Sequence, residues 1–322
     1  YSYDPDSPVV QATIVAAESM SDRIIQYALQ AVDGKDLPEW DAGAHVDVVI
    51  APDTLRQYSL MGDPNDRSCY EIAIRREDDG AGGSLLAHCI FTVGRRITLS
   101  KPINHFPLAA EATHSFLMGG GIGVTPMIAM AHALFLRAAP FELHYSATSA
   151  QEAAFADRLM QMPWAAHVHI HISDTGGRAD FDTLLAGRDA GAHVYACGPD
   201  TYMQAVMDAA ARQGFPPDAL HVEYFTVPET PEYENHPFTV VLKDGRRIQV
   251  SAEQSAAEAL IDAGVAVDLK CSDGLCGVCK CGLRGGAVEH RDFVLSNKQR
   301  ETQIILCQSR AAEANGVLDL DL

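Results

Sequence analysis

Short stretches in which apolar and polar residues alternate fill the first third of the chain. Turn residues separate them, among them Gly34 and Gly62. Runs of this length and composition predict β-strands. The predicted strands are Val9–Ala16, Arg23–Gln30, His45–Ile50, Gln57–Leu60, Tyr70–Arg75 and Arg96–Leu99. Short antiparallel strands at this spacing predict a β-barrel domain over residues 1–110.

From residue 111 to residue 228 the pattern changes, and apolar runs alternate with segments of helical periodicity. The predicted strands are Ser115–Met118, Phe141–Ser146, His167–Ile172, His193–Ala196 and Ala219–Tyr224. The predicted helices are Pro126–Arg137, Ala150–Met160, Asp180–Ala186 and Thr201–Gln213. Strands that alternate with helices predict a doubly wound α/β domain with a parallel sheet.

The last part of the chain is predicted to be a third, smaller domain over residues 237–322. Residues 226–236 are rich in proline and glutamate, which is typical of an extended linker, and the linker is predicted over residues 229–236. Phe238–Leu242 and Arg247–Val250 flank a Lys-Asp-Gly turn and predict a hairpin, and Ser255–Ala263 predicts a helix.

Charge and composition narrow the classes of partner. The chain has 322 residues, 24 Lys and Arg against 43 Asp and Glu, and a formal net charge of −19. A chain this acidic repels phosphate, so we expect neither a nucleic-acid partner nor an anionic membrane. The first twenty residues show neither a basic nor an apolar leader segment, and a cytoplasmic location is expected.

Cysteine spacing carries the strongest chemical signal. Cys271-x4-Cys276-x2-Cys279, with Cys307 further along, matches the plant-type [2Fe–2S] spacing. A zinc knuckle is the alternative, but zinc sites more often use two Cys-x2-Cys pairs. The fifth cysteine of the region, Cys281, does not fit the spacing and is expected not to be a ligand.

With these motifs in place, nearly the whole chain resembles a known family. The cysteine region looks like a plant-type ferredoxin, which implies a β-grasp fold. Arg56-Gln57-Tyr58-Ser59 resembles the flavin motif of the ferredoxin–NADP reductase superfamily, and Cys197-Gly198-Pro199 resembles its nicotinamide motif. The order of the three parts is that of the phthalate dioxygenase reductase family, which includes vanillate demethylase reductases and reductase modules fused to some cytochromes P450.

The resemblance implies FMN in the barrel. Arg56 would hold the phosphate, and Gln57, Tyr58, Ser59, Ile74 and Arg75 would line the flavin. Gly82, Gly83 and Ser84 would form the phosphate cradle at a helix N-terminus, with Ser84 as a candidate cap. Ala81 departs from the family, whose members often have Arg there. Beyond the α/β domain, Phe225 would lie against the flavin ring.

The resemblance also implies a nicotinamide site in the second domain. Gly120, Gly121 and Thr125 belong to a glycine-rich turn between a strand and a helix, and Asp174, Cys197, Gly198 and Pro199 follow other strands. Such turns bind dinucleotides at the carboxyl edge of the sheet. NADH is expected over NADPH, since residues 144–152 carry no Arg or Lys for a 2′-phosphate and Glu152 would repel one. Arg158 and Arg178 are the possible exceptions.

The expected function is therefore a reductase that passes electrons from NADH through FMN and a [2Fe–2S] cluster to a terminal oxygenase, either a Rieske-type enzyme or a P450. The alternatives are an FAD-dependent reductase of the same superfamily and a non-enzymatic iron–sulfur protein. His167, His169 and His171 alternate on a predicted strand. That spacing alone favours solvent-facing or core histidines over a metal site.

Overall fold

The computed structural model describes residues 9–52, 54–80, 82–227 and 233–322. They fall into two compact units, the first ending at Glu223 and the second beginning at Tyr224. The predicted boundary between a first and a second domain near residue 110 lies inside the first unit. It stays a prediction, and part of the predicted linker, residues 229–232, lies outside the described residues.

Seven antiparallel strands form the barrel predicted for the first part of the chain. They are β1 Val9–Ser21, β2 Ile24–Ala31, β3 Ala44–Ala51, β4 Thr54–Ser59, β5 Tyr70–Arg75, β6 Arg96–Ser100 and β7 Ile103–Asn104. The sheet runs β4–β3–β6–β1–β2–β5, with β7 on β3. An antiparallel bridge between Met61 and Glu71 brings the two ends of this order together, so the barrel is nearly closed. Helix α1, Gly83–Ile90, follows β5.

A five-stranded parallel sheet forms the second half of the first unit, as predicted. Its strands are β8 His114–Gly120, β9 Phe141–Ala147, β10 Val168–Ile172, β11 Ala192–Cys197 and β12 Leu220–Glu223. They lie in the order β10–β9–β8–β11–β12. The helices are α2 Val124–Leu136, α3 Ala156–Leu159, α4 Phe181–Leu185 and α5 Asp200–Arg212. Nearly every residue of α2 is buried, which explains its almost unbroken apolar sequence.

The helix predicted over Ala150–Met160 is wrong for its first half. Only Ala156–Leu159 is helical. Before it, the Ser149 carbonyl accepts hydrogen bonds from the N–H groups of Glu152 and Ala153, which makes a turn. The alanine-rich composition favours a helix, but tertiary packing around this turn overrides the local propensity.

One apolar core joins the barrel to the parallel sheet. The ring of Phe106, after the last barrel strand, meets the ring of Tyr195 on β11 edge-on, with centroids 5.8 Å apart. Polar contacts add to this packing. Arg158 pairs with Glu71 of β5 at 2.6 Å and also donates to Gln26 of β2.

The second unit is a mixed sheet with one main helix. Its strands are β13 Phe238–Val241, β14 Arg247–Val250, β15 Lys280–Gly285, β16 Val288–Glu289, β17 Gln303–Ile305, β18 Arg310–Ala311 and β19 Val317–Leu320, and its helices are α6 Ala256–Asp262 and α7 Asn297–Arg300. The main sheet runs β14–β13–β19–β15–β17, with β13 and β19 parallel at its centre. This is the arrangement expected of a β-grasp domain. Ser255 and Glu258 form a capping box at the start of α6.

Within the described residues, no helix combines the length and the apolar character needed to cross a membrane.

Gly43, just before β3, provides a test of the barrel packing. Its φ is +93°, and a Cβ at this position would lie 1.9 Å from the Phe106 carbonyl oxygen. We expect Gly43→Ala to lower the free energy of unfolding by about 3 kcal/mol or more, because strain and overlap add.

The matched control is Gly34→Ala, where φ is +71° but nothing lies within 4 Å of an added Cβ. This change should cost about 1 kcal/mol from backbone strain alone. Urea unfolding of both variants, followed by circular dichroism, measures the difference. Equal losses would contradict the packing described here.

Candidate functional site

Arg56 and the glycine turn before α1 lie against each other. Gly82 has φ of +79° and is the N-cap of α1. A Cβ on Gly83 would lie 2.6 Å from Nε of Arg56, so a side chain here would displace the guanidinium from its present position. The N–H groups at the start of a helix attract anions, and a guanidinium binds phosphate through paired donors. Together they have the chemistry of a phosphate site.

Ser84 does not cap this helix, contrary to expectation. The helix begins at Gly83, so Ser84 lies in the first turn, and the cap position belongs to Gly82. The Ser84 hydroxyl instead accepts a hydrogen bond from the Glu77 N–H at 3.0 Å. Its contribution is therefore to attach the turn to the segment after β5. Ala81, where the family often has Arg, lies outside the described residues.

The motif on β4 presents its side chains on alternate faces, as predicted. Arg56 and Tyr58 pair with Val48 and Val46 of β3, whereas Ser59 pairs with His45. Tyr58 is half-buried, and burial raises its pKa, so the phenol keeps its proton. Gln57, on the same face as Ser59, places Nε2 3.1 Å from Nε2 of His45.

The carboxyl ends of β8 and β11 approach each other at backbone distance. A Cβ on Gly198, whose φ is +155°, would lie 3.0 Å from the Cα of Gly120. A Cβ on Gly123 would lie 2.3 Å from the Cys197 carbonyl oxygen. These glycines are required by close packing of two strand ends, at the edge where such sheets bind nucleotides.

A cavity of about 1100 Å³ opens at this edge. Gly120, Gly121, Pro199 and Arg75 are the predicted site residues that line it. Arg75 comes from the barrel, so the cavity reaches from the parallel sheet to β5. Ile74, its neighbour on β5, is completely buried in the core.

Four predicted nucleotide residues do not line this cavity, namely Thr125, Asp174, Cys197 and Gly198. The side chain of Cys197 is completely buried, and burial raises the pKa of its thiol well above the usual range. Thr125 is also buried, and its hydroxyl donates to the Ile122 carbonyl oxygen at 3.1 Å. Asp174 is exposed, and its N–H donates to the Thr148 carbonyl oxygen.

Glu223 belongs to the same region and was not predicted as a site residue. It is the β12 partner of Cys197, and the hydroxyl of Ser59 donates to its Oε2 at 3.2 Å. Burial raises the pKa of Glu223 to about 8, against the opposing effect of the Ser59 hydrogen bond. A carboxyl group at the carboxyl end of a predicted strand was the available signal. Nothing in the sequence placed it beside the Ser59 motif.

Three charged side chains bear on the choice between NADH and NADPH. Arg158 is held by Glu71 and is thus engaged in an ion pair. Arg178 and Glu152 both line the cavity, with opposite charges.

Phe225 lies two residues after Glu223 and is 43% exposed. Its position against a flavin ring stays a prediction.

The four predicted cluster ligands come together in the second unit. Cys271 is hydrogen-bonded through sulfur to Cys276 and Cys307, and Cys279 to Cys307. The hydrogen bonds from Cys276 and Cys307 lower the pKa of Cys271, which favours its thiolate. All eight cysteines of the chain lie in its described part, and none forms a disulfide.

The loop that carries the ligands is tightly wound. Gly274 and Gly277 have φ of +76° and +66°, and Ser272 also has positive φ. The Asp273 N–H donates to the sulfur of Cys271 at 3.4 Å. Three cysteines of this loop converge with Cys307, which follows β17. Four thiolates that converge in this way, with N–H groups directed at sulfur, are the donor set that an iron–sulfur cluster requires, so these residues fit the cluster.

Cys281 faces a different environment, and its exclusion from the ligand set stays a prediction. It lies on β15, and its thiol donates to the Gly282 carbonyl oxygen at 3.3 Å. Burial raises its pKa, and the charged groups that act on it are Asp321 and Lys243, not the four cysteines. The neutral thiol is a core side chain.

Comparison with known proteins agrees with both halves of this description. Residues 96–220 match the N-terminal domain model of dimethylamine monooxygenase subunit DmmA-like proteins, and residues 240–312 match the 2Fe-2S iron-sulfur cluster binding domain. The chain is 37% identical to a vanillate O-demethylase oxidoreductase from Pseudomonas sp., over 97% of this chain and 100% of that one. It is 36% identical to a phthalate dioxygenase reductase from Burkholderia cepacia, over 95% and 96% of the two chains.

Solved structures show the same relationship. That of a phthalate dioxygenase reductase, described as a modular structure for electron transfer from pyridine nucleotides to [2Fe–2S], matches with a TM-score of 0.69 and 36% identity over 98% of both chains. An intact type IV self-sufficient cytochrome P450 monooxygenase matches with a TM-score of 0.88 and 35% identity. All of this chain aligns with 43% of that P450 chain.

The ligand assignment predicts different outcomes for two neighbouring cysteines. Cys276→Ser should sharply lower the iron content of the purified protein, because the cluster loses a ligand. Cys281→Ser should leave the iron content unchanged, since this thiol bonds only to the backbone near it. Iron analysis of both variants, with visible absorption as a second readout, shows which of the two cysteines is a cluster ligand. Equal iron loss in the two would refute the assignment.

Proposed function

The chain belongs to the phthalate dioxygenase reductase family, and from this premise we propose that it takes electrons from NADH and delivers them to a terminal oxygenase. One observation carries the proposal. A single chain combines the phosphate site of Arg56 and Gly83, a nucleotide-sized cavity and four converging cysteines, three from one loop and Cys307 from the segment after β17. These are the binding sites of a nicotinamide-to-iron–sulfur electron carrier.

The cofactors of this function are FMN and a [2Fe–2S] cluster, with NADH as the electron donor. When bound, the flavin links the two-electron chemistry of nicotinamide to the one-electron chemistry of the cluster. The protein contributes binding and position. Chromatography of the extracted flavin beside FMN and FAD standards tests the flavin assignment directly.

Within the barrel, the turn of Gly82, Gly83 and Ser84 and the guanidinium of Arg56 hold the flavin phosphate. Further residues of the barrel bind the ring, namely Gln57, Tyr58, Ser59, Ile74 and Arg75. The proposal is supported by the packing of Arg56 on Gly83 and by the opening of Arg75 to the cavity.

In the parallel sheet, the nicotinamide nucleotide occupies the edge between β8 and β11. The residues assigned to it are Gly120, Gly121, Thr125, Asp174, Cys197, Gly198 and Pro199. Because the side chains of Cys197 and Thr125 are buried, they support the backbone of the site by packing beneath it. Ser59 and Glu223 join the flavin and nucleotide sides through one hydrogen bond.

The oxygenase partner is of the Rieske or the P450 type. The relatives named above serve oxygenases as reductases, and in the self-sufficient P450 the matching region is part of one longer chain. This chain covers less than half of that P450 chain. A separate oxygenase and a fused one both fit the reductase described here.

We expect NADH to be preferred over NADPH by at least about tenfold in kcat/KM, because Glu152 in the cavity repels a 2′-phosphate. Steady-state kinetics with both nucleotides at equal ionic strength measure the ratio. Glu152→Gln should narrow this ratio, and Arg178→Gln should widen it by removing one of the exposed cations that line the cavity. A wild-type preference for NADPH would contradict the prediction.

A chain that ends after Val227 should separate the two halves of the function. It keeps the whole first unit, so it should retain flavin and still be reduced by NADH. It should lose electron delivery to the oxygenase, since it lacks the cluster. Oxygenase turnover measures this, with ferricyanide reduction as the control because flavin reduces ferricyanide directly. Full oxygenase turnover with the shortened chain would refute the proposed electron order.

A further inference from the structure

Histidines and a glutamate from neighbouring strands of the parallel sheet meet outside the cofactor sites. Glu142 and His144 lie two residues apart on β9, and His169 on β10 is the register partner of His144. His144 is completely buried, Glu142 is half-buried and His169 is exposed. The three side chains thus form a short path from the sheet interior to solvent at the edge strand.

Their donor atoms are close enough to share one ion. Nε2 of His144 lies 3.3 Å from Oε2 of Glu142. One donor atom from each of the three residues lies within 4.8 Å of the others. We propose that Glu142, His144 and His169 bind a divalent transition-metal ion of the Zn²⁺ type.

The distances suit this kind of ion. Bonds of about 2.1 Å to nitrogen and oxygen place two ligands of a tetrahedral site about 3.4 Å apart. The His144–Glu142 pair already has this separation. His169 lies on the edge strand β10 and is exposed, so its ring can turn to close the remaining gap of at most about 1.4 Å between its donor atom and the other two. Two imidazoles and one carboxylate select Zn²⁺, Co²⁺, Ni²⁺ or Cu²⁺ rather than Mg²⁺ or Ca²⁺.

Neighbouring groups hold the two inner ligands in place. Nδ1 of His144 lies 3.1 Å from Nε2 of His171, so the ring nitrogen that does not face Glu142 has a partner of its own. Oε1 of Glu142, the oxygen not assigned to the metal, lies 3.5 Å from Nε2 of His114 and 3.3 Å from Nη2 of Arg188. Such outer contacts orient metal ligands. The positive charge of Arg188 also weakens cation binding, so we expect a site of moderate affinity.

This site differs from the cysteine site in ligands and position. It uses nitrogen and oxygen donors on the parallel sheet, and the cysteines lie in the other unit. The histidine spacing within β10 does not by itself predict this site, because two of the three ligands come from β9. His171 lines the nucleotide cavity, so the outer contacts of the metal site extend to that cavity.

Calorimetric titration of the complete protein, with flavin and cluster bound, against ZnCl₂ tests the proposal. We expect binding of one Zn²⁺ per chain, and His169→Gln should raise the Kd at least about tenfold. The matched control is His167→Gln. That side chain lies two residues away and contacts the Phe141 carbonyl oxygen instead, so its loss should leave the Kd unchanged.

Iron content and visible absorption are followed in the same samples and should stay constant as zinc binds. Three results would overturn the proposal. They are no zinc binding by the unaltered protein, an equal Kd for the His169→Gln variant, and zinc uptake that matches a loss of iron.

Discussion

The apolar core shared by the barrel and the parallel sheet is the interaction on which the cofactor sites depend. Protein interiors are packed as densely as organic crystals, so a shared core prevents the two halves of this unit from sliding. The rings of Phe106 and Tyr195 pack against each other within it. Arg158 of α3 also forms an ion pair with Glu71 of the barrel. The barrel residue Arg75 can therefore line a cavity formed mainly by the parallel sheet. Hydride transfer needs this kind of fixed placement, because it occurs only at contact distance.

The pKa shifts of titratable side chains differ between the two ends of the electron path. At the junction of barrel and sheet, burial raises the pKa of Glu223 to about 8, so near neutral pH this carboxyl is largely protonated beside Ser59. It adds little negative charge where an electron-rich flavin would lie. In the second unit, hydrogen bonds among the cysteines lower the pKa of Cys271 and Cys279 and raise that of Cys276 and Cys307, so the first two thiols most readily become the thiolates that a ferric cluster needs.

The sequence predicted much of this because the decisive signals are local. The spacing of the four cysteines, the turns before α1 and α2, and the strand periodicities all lie within short segments. Two details of local geometry were predicted wrongly, and one contact between distant segments was missed. Ser84 does not cap α1, because a glycine in the left-handed region takes the cap position. The Ala150–Met160 helix is interrupted by a turn at Ser149. Glu223 meets Ser59 from 164 residues away, which no periodicity reveals.

The central claim is that one chain carries electrons from NADH to its own iron–sulfur cluster. Electron paramagnetic resonance of the complete protein after anaerobic addition of NADH tests it most directly, because a reduced [2Fe–2S] cluster is paramagnetic and the oxidised one is not. The account predicts a reduced-cluster signal together with bleached flavin absorption, without any added mediator. Bleached flavin absorption with a cluster that stays oxidised, and is reduced only by dithionite, would contradict it.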